Sequence, residues 1–443
     1  MTRRFLITCW PFTGHLLPQM SIAMALRERG HDVAFYTGEA ARATVEREGF
    51  ELFAFERVDE ERAAGLVQAG EIRDRQSRPG GGRLPRILRE WLVETIPDQV
   101  ADVRAALGHW HPDAIVTDLS LWGPIVVLWE TERIPTALSS TFMGPLIPGP
   151  DAPPFGFGLR PPRTPLARVG ARALVALTEL AGRPMRKRID EIRAAHALPP
   201  LGMSVNRFTA TLPLYLVGNI RELDYNRHDL PPTVHYTGNC IWFPEQEPSA
   251  QWLAKIPTDL PWVHVTESSL ASGDPFLLRT AIEALADQPV RLIVTTGGQR
   301  DPASIGIRAQ AGNVHVTRWL SHGELLPRCA AVITVGGPAT VVASLHAGVP
   351  LVVVPTTWDK PDNARRVLEA GAGVRLSPRA CRPDALRAAV TRVVNEPRFR
   401  AAARQLGARL AAAPGPAGAA ELLEKLASQK RAPAMATADG RAR

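Results

Sequence analysis

Two side chains in the first third of the chain have the types an acid–base pair needs. His15 follows Gly14 in the segment PFTGHLLP, and Asp118 closes the segment HPDAIVTD. An imidazole titrates near neutrality and can take a proton from a hydroxyl. A carboxylate beside it would hold its tautomer and stabilise the imidazolium that forms. Each residue also has a plainer reading, as a solvated loop histidine and as a helix-capping or turn aspartate. Local sequence does not bring the two together.

A second group lies in the last third. TVGGPATVVASLHAG reads as the end of a strand, a tight glycine turn and a helix. Backbone N–H groups at a helix start, with the local dipole, suit a phosphate. Gly336 and Gly337 allow close backbone approach, although plain strand–helix packing uses the same pair. Downstream, VPLVVVPTTWDKPDN is a buried strand that delivers Trp358, Asp359, Lys360 and Asn363 into a loop. Asp and Lys there suit sugar hydroxyls or an anionic group, or simply a surface ion pair.

The elements that must position these residues alternate. RFLITCW is a continuous apolar run, as a buried parallel strand should be. The helix MSIAMALRERGH stops at Gly30, and the strands DVAFYTG, HPDAIVTDLS and RIPTALSS follow. From LPWVHVTESS onward the pattern restarts, with strands RLIVTTGG, NVHVTRWL, AAVITV and VPLVVVP separated by helices. Such alternation predicts parallel sheets covered on both faces, with ligands outside the carboxyl ends of the strands. Residues 142–205 break the rhythm: a Pro/Gly-rich stretch precedes LARVGARALVALTELAGRPMRKRIDEIRAAHAL, apolar on one side and arginine-rich on the other. A membrane-surface helix is one reading; a helix pair covering a substrate cleft is the preferred one. The expected division is 1–220, 221–428 and a disordered tail at 429–443.

Composition narrows the class. A chain of 443 residues, 45% hydrophobic and 22% charged, is long enough for two cores. The net charge of +8 comes from the arginine-rich middle and the terminal KRAPAMATADGRAR. No basic run is interleaved with stacking aromatics, so nucleic acid is not an expected partner. The four cysteines form no CxxC pair and read as buried thiols, not as a disulfide frame or a metal site. The N-terminal apolar run is cut by Pro11, and no 18-residue apolar span occurs. A cytoplasmic protein without a transmembrane segment is expected.

On these segments the chain resembles the nucleotide-sugar-dependent glycosyltransferases built from two facing Rossmann-like domains (the GT-B fold), in particular their macrolide and natural-product branch. PFTGHLLPQMSIAMALRERGHDVAFYTG, HPDAIVTD, LPPLGMSV, HDLPPTVHYTG and the stretch from WLSHGELL to GAGVRL carry the likeness, which spans nearly the whole chain. It implies an α/β protein with an interdomain cleft, an N-terminal acceptor domain and a C-terminal donor domain. His15 would be the general base on the acceptor hydroxyl and Asp118 its partner. Ser268, Ser269, Trp319, Gly336, Gly337, Thr340, Asp359 and Lys360 would hold a UDP- or TDP-sugar, with Trp319 on the base, the glycine turn on the diphosphate and Asp359 on the sugar. No metal is implied. The acceptor would be a hydrophobic natural product, and a homodimer is left open.

The chain departs from the family pattern on the donor side only. Val335 stands where a phosphate-binding His is usual and cannot donate a hydrogen bond. Ala339 replaces a third glycine, Ala343 a ribose-contacting Glu, and Lys360 a Gln; Glu267 stands in the loop where phosphates would pass. Lys360 and Arg300 are the cations that would compensate. The leading expectation is an inverting glycosyltransferase of secondary metabolism. The alternatives are a glycosyltransferase-like enzyme that no longer uses nucleotide sugars and does His-assisted elimination, cyclisation or isomerisation, and an inactive partner protein.

Overall fold

The computed structural model describes residues 1–71, 83–242, 250–267, 274–297, 300–305 and 312–429. The first sheet contains β1 (Arg4–Thr8), β2 (Asp32–Thr37), β3 (Glu51–Ala54), β4 (Ala114–Asp118), β5 (Thr136–Ser140), β6 (Leu214–Val217) and β7 (Val234–Tyr236). Its spatial order is β3-β2-β1-β4-β5-β6-β7. The second contains β8 (Trp262–Thr266), β9 (Arg291–Thr295), β10 (Val314–Thr317), β11 (Cys329–Thr334), β12 (Leu351–Val353) and β13 (Gly373–Arg375), in the order β10-β9-β8-β11-β12-β13. Every pairing is parallel. The chain is therefore an α/β protein of two doubly wound sheets.

Each sheet is buried on both faces because successive side chains of a strand point oppositely. On β1, Phe5 and Ile7 enter one apolar cluster and Leu6 the other. On β11, Ala331 and Ile333 join one cluster and Val332 the other. Thr8 and Thr117, both fully buried, satisfy each other across β1 and β4 at 3.0 Å. The four cysteines are buried and free.

Order within the sheets fixes where ligands can go. In the first sheet the winding reverses between β1 and β4, and in the second between β8 and β11. The chain leaves such neighbouring strands in opposite directions, which opens a crevice at their carboxyl ends. His15 follows β1 and Asp118 ends β4. Glu267 follows β8, and the glycine turn follows β11.

Three features differ from the sequence reading. The first helix runs Thr13–Glu28, so His15 lies in its first turn instead of in a loop. Pro18 argues locally for a break, but it follows the small Gly14 by four residues, where its ring meets the least obstruction. The expected division at 220/221 falls between β6 and β7, two neighbours of one sheet. The last helix, Gly415–Ala427, returns to the first sheet, placing Ala419, Leu423 and Leu426 in one cluster with Phe5, Ile7 and Leu216. The tail beyond Gln429 lies outside the described residues.

Candidate active site

His15 Nδ1 lies 3.0 Å from Asp118 Oδ1. The ionised carboxylate can only accept, so Nδ1 carries the proton, leaving the Nε2 lone pair for a ligand. The imidazole is 17% exposed while Asp118 is fully buried. Asp118 is held from behind: Oδ1 also accepts from the Ser120 amide at 2.8 Å and from the Ser120 hydroxyl. The Ser120 and Thr141 hydroxyls reach His15 Nδ1 at 3.1 and 3.3 Å. Burial by itself would depress the His15 pKa, but the charge and hydrogen bond of Asp118, helped by the charge of Asp359, leave it raised above the ordinary value. His15 and Asp359, from opposite sheets, line the same cleft.

A cleft of about 620 Å³ separates the two sheets. Its floor holds His15, Ser120 and Thr141. Phe12, Trp91, Trp122, Phe142 and Phe155 line one apolar end, with Val175, Met185 and Ile189 from the helices Pro165–Ala181 and Arg183–Ala195. Phe142 and Phe155 stack with centroids 5.4 Å apart and planes 7° off parallel. The helical stretch after residue 164 is thus a wall of this cleft.

The opposite end is built by the second sheet. Trp319, Gly337, Pro338, Ala339, Thr340, Asp359, Lys360 and Asn363 line it. Gly336 sits behind the turn: its φ is +94°, and a Cβ there would lie 2.9 Å from Val353 Cγ1. Its carbonyl accepts from Asn363 Nδ2 at 2.9 Å, and the same amide bonds Asp359 Oδ2 at 2.7 Å. Gly337 precedes the helix Pro338–His346 and has open space above its Cα. Val335 packs with Val263 and Ile333 while one edge reaches the cleft. Ser268 and Ser269 lie outside the described residues.

Two expectations about charge change. Glu267 lines the cleft at the expected loop, but its carboxylate is taken up by the helix Phe276–Leu285, where it accepts the Leu277 amide at 2.9 Å. Arg300 Nη1 lies 3.5 Å from its other oxygen, in a site where both side chains are at most 10% exposed. Burial pushes the Glu267 carboxyl up, against the pull of the Leu277 and Leu278 amides and of Arg300. Arg300 is thus engaged by Glu267 and does not line the cleft, whereas Arg318, which sequence reasoning missed, does. Ser120 and Thr141 were also missed. The short Asp118-x-Ser120 spacing was the available signal for the first, since a carboxylate often accepts the amide two residues on; Thr141 had none.

The two halves are tied above the cleft. Asp362 Oδ2 and Oδ1 accept the amides of Gly156 and Gly158 at 2.6 and 2.8 Å. Arg366 Nη2 lies 2.8 Å from Asp224 Oδ1. Trp358, at φ +59°, puts its indole 5.8 Å from Trp91, in space that a Cβ on Gly70 would fill. Among the described residues no three His, Cys, Asp or Glu side chains converge as metal ligands, and no helix is long and apolar enough to cross a membrane.

Comparison with known proteins places this architecture. Residues 280–426 match the C-terminal domain of the erythromycin biosynthesis protein CIII-like family. The chain is 33% identical over 430 residues to 4'-demethylrebeccamycin synthase of Lentzea aerocolonigenes, covering 96% of this chain and 100% of that one. It is 25% identical over 419 residues to demethyllactenocin mycarosyltransferase of Streptomyces fradiae, covering 94% and 85%. The crystal structure of the kitacinnamycin glycosyltransferase superposes with a TM-score of 0.76 at 21% identity, over 96% of this chain and 99% of that one.

Proposed function

The chain belongs to the glycosyltransferases of natural-product pathways, and from that premise we propose that it transfers a sugar from a nucleoside diphosphate to a hydroxyl of an apolar acceptor, with inversion. The observation that carries this reading is the His15–Asp118 pair at one switch-point crevice, opposed across the cleft by the glycine turn and Asp359.

The acceptor hydroxyl would lie against His15 Nε2. Its oxygen attacks the anomeric carbon as the bond from that carbon to the diphosphate breaks; the hydroxyl proton passes to Nε2. Asp118 stabilises the resulting imidazolium, and the nucleoside diphosphate leaves with the bonding electrons. On the donor side, the amides at the start of Pro338–His346 would face the diphosphate, since the first N–H groups of a helix lack intrahelical partners. Pro338 itself contributes none. Arg318 and Lys360, which line the cleft, would supply the positive charge toward the diphosphate that Val335 cannot. Trp319 would stack on the base and Asp359 bind sugar hydroxyls. The apolar end of the cleft suits a bulky, largely hydrophobic small-molecule acceptor.

Titration calorimetry with UDP, TDP and their sugars tests the donor half, and a transfer assay with a matched aglycone tests the rest. Binding of at least one nucleoside diphosphate is expected. A flat response to every nucleotide, with turnover that needs no donor and is lost in His15→Ala, would overturn the reading in favour of donor-independent acid–base chemistry.

A further inference from the structure

Nine large hydrophobic side chains are exposed among the described residues, and seven of them fall between 155 and 180. Scattered single hydrophobics are ordinary on a protein surface; a cluster in one short stretch is not. Phe155, Phe157 and Leu159 project from the strap whose intervening glycines, Gly156 and Gly158, are fixed to Asp362. The helix Pro165–Ala181 contributes Leu166, Val169, Leu177 and Leu180, with Leu166 82% exposed. Together with exposed Ala173, these recur at steps of three, four, four and three, a single helical stripe. The other side of the helix is occupied, since Val175 and Glu179 line the cleft. Among the described residues nothing covers the stripe.

Charge selects the occupant. Residues 155–187 carry seven Arg and Lys against one carboxylate, Glu179, and so account for six of the chain's net +8. Arg163 and Arg168 pair with Glu369 and Asp151, and Glu179 is held by Arg207. Exposed Arg160, Arg172, Arg183 and Lys187 have no carboxylate within ion-pair distance among the described residues, whereas Arg186 lines the cleft. A second copy meeting the same face would set these cations against themselves, because a two-fold contact opposes identical patches. An anionic surface with an apolar interior removes both mismatches.

The geometry points to a docking surface for an anionic phospholipid leaflet: the helix Pro165–Ala181 lies in the interfacial plane, its stripe and the strap's Phe157 and Leu159 in the acyl boundary and the flanking cations among the headgroups. At 17 residues the helix is too short to span a bilayer, which needs about 20, but its pattern is that of a helix lying on one. Because its inner face is a wall of the apolar cleft, docking would set the cleft beside the lipid phase.

Vesicle flotation of the full chain tests this independently of any transfer activity. Liposomes of phosphatidylcholine alone are compared with liposomes containing about one third phosphatidylglycerol, at low and high salt. Binding is expected to the anionic vesicles only and to weaken with salt. The double variant V169E/L177E should lose it, and R160Q/R172Q should weaken partitioning about fivefold per cation removed. All four side chains are exposed, and near-UV circular dichroism with a melting curve confirms that each variant is folded. Two results overturn the proposal: no binding of the folded parent to anionic vesicles, or light scattering that shows a dimer dissociated by V169E/L177E, which would make this face a contact between copies.

Discussion

Asp118→Asn isolates the charge of the buried carboxylate from its shape. The amide keeps an oxygen for the Ser120 N–H, now at 2.8 Å, and swaps the carboxylate's second oxygen, which has no hydrogen-bond partner, for an NH₂. The new donor is buried without an acceptor and should cost about 1–3 kcal/mol of stability. The catalytic loss is separable. With charge centres about 4 Å apart and an effective dielectric near 20, the imidazolium–carboxylate attraction is about 4 kcal/mol. A neutral amide dipole retains part of it, so a transition-state loss of about 2–3 kcal/mol is expected, or roughly 30- to 150-fold in kcat. The pH profile carries the sharper signature. His15 must be neutral to accept the proton, and its pKa is held above the ordinary value against burial chiefly by Asp118. Transfer by the parent should therefore fall as pH drops through that raised value. In the variant the main raising influence is gone while burial remains, so the acid limb should move to lower pH even as the plateau drops. The measurement is kcat and kcat/KM from pH 5 to 9 for both proteins, with melting curves alongside. An unmoved acid limb, or a plateau within threefold of the parent, would refute the assignment of His15 as base and Asp118 as its partner.

Other predictions follow from the same geometry. Arg318→Ala should weaken nucleoside diphosphate binding about tenfold by calorimetry, the scale of one charge-assisted contact; Arg300→Ala should lower the melting temperature with less effect on nucleotide affinity, because its guanidinium is paired with Glu267 and does not itself line the cleft. Gly336→Ala forces a Cβ to within 2.9 Å of Val353 Cγ1 at φ +94° and should destabilise the fold by about 1–3 kcal/mol in denaturant titration. Asp362→Ala frees the amides of Gly156 and Gly158, so limited proteolysis should speed up in the strap and the acceptor KM should rise more than kcat falls.

What the sequence makes legible is local, and what it hides is adjacency. The strands were readable because each is an apolar run buried on both faces, and His15 and Asp118 stood out because each falls at the carboxyl end of such a run. Their contact depends on β4 pairing with β1, and the two residues stand 103 positions apart; nothing in PFTGHLLP or HPDAIVTD encodes that neighbour. The same limit explains the reading of Glu267. By position its charge belongs beside the phosphates, but the first turn of the helix Phe276–Leu285 presents the Leu277 amide nearby, which has no intrahelical acceptor, and the carboxylate turns to accept it. Arg300, drawn after it, leaves the role of cation at the cleft to Lys360 and to Arg318, whose own segment shows no motif. The strap is a stronger case: the FGFGL alternation is visible, yet its glycines are needed because both take a positive φ where Asp362 accepts their amides, and because Pro361, more than 200 residues away, leaves no room for a Cβ at Gly158. Long-range contact thus decides which face of a legible pattern is structural. Here it fixes the glycines inward, sets Phe155 against Phe142 at the cleft and leaves Phe157 and Leu159 of the same five residues facing out.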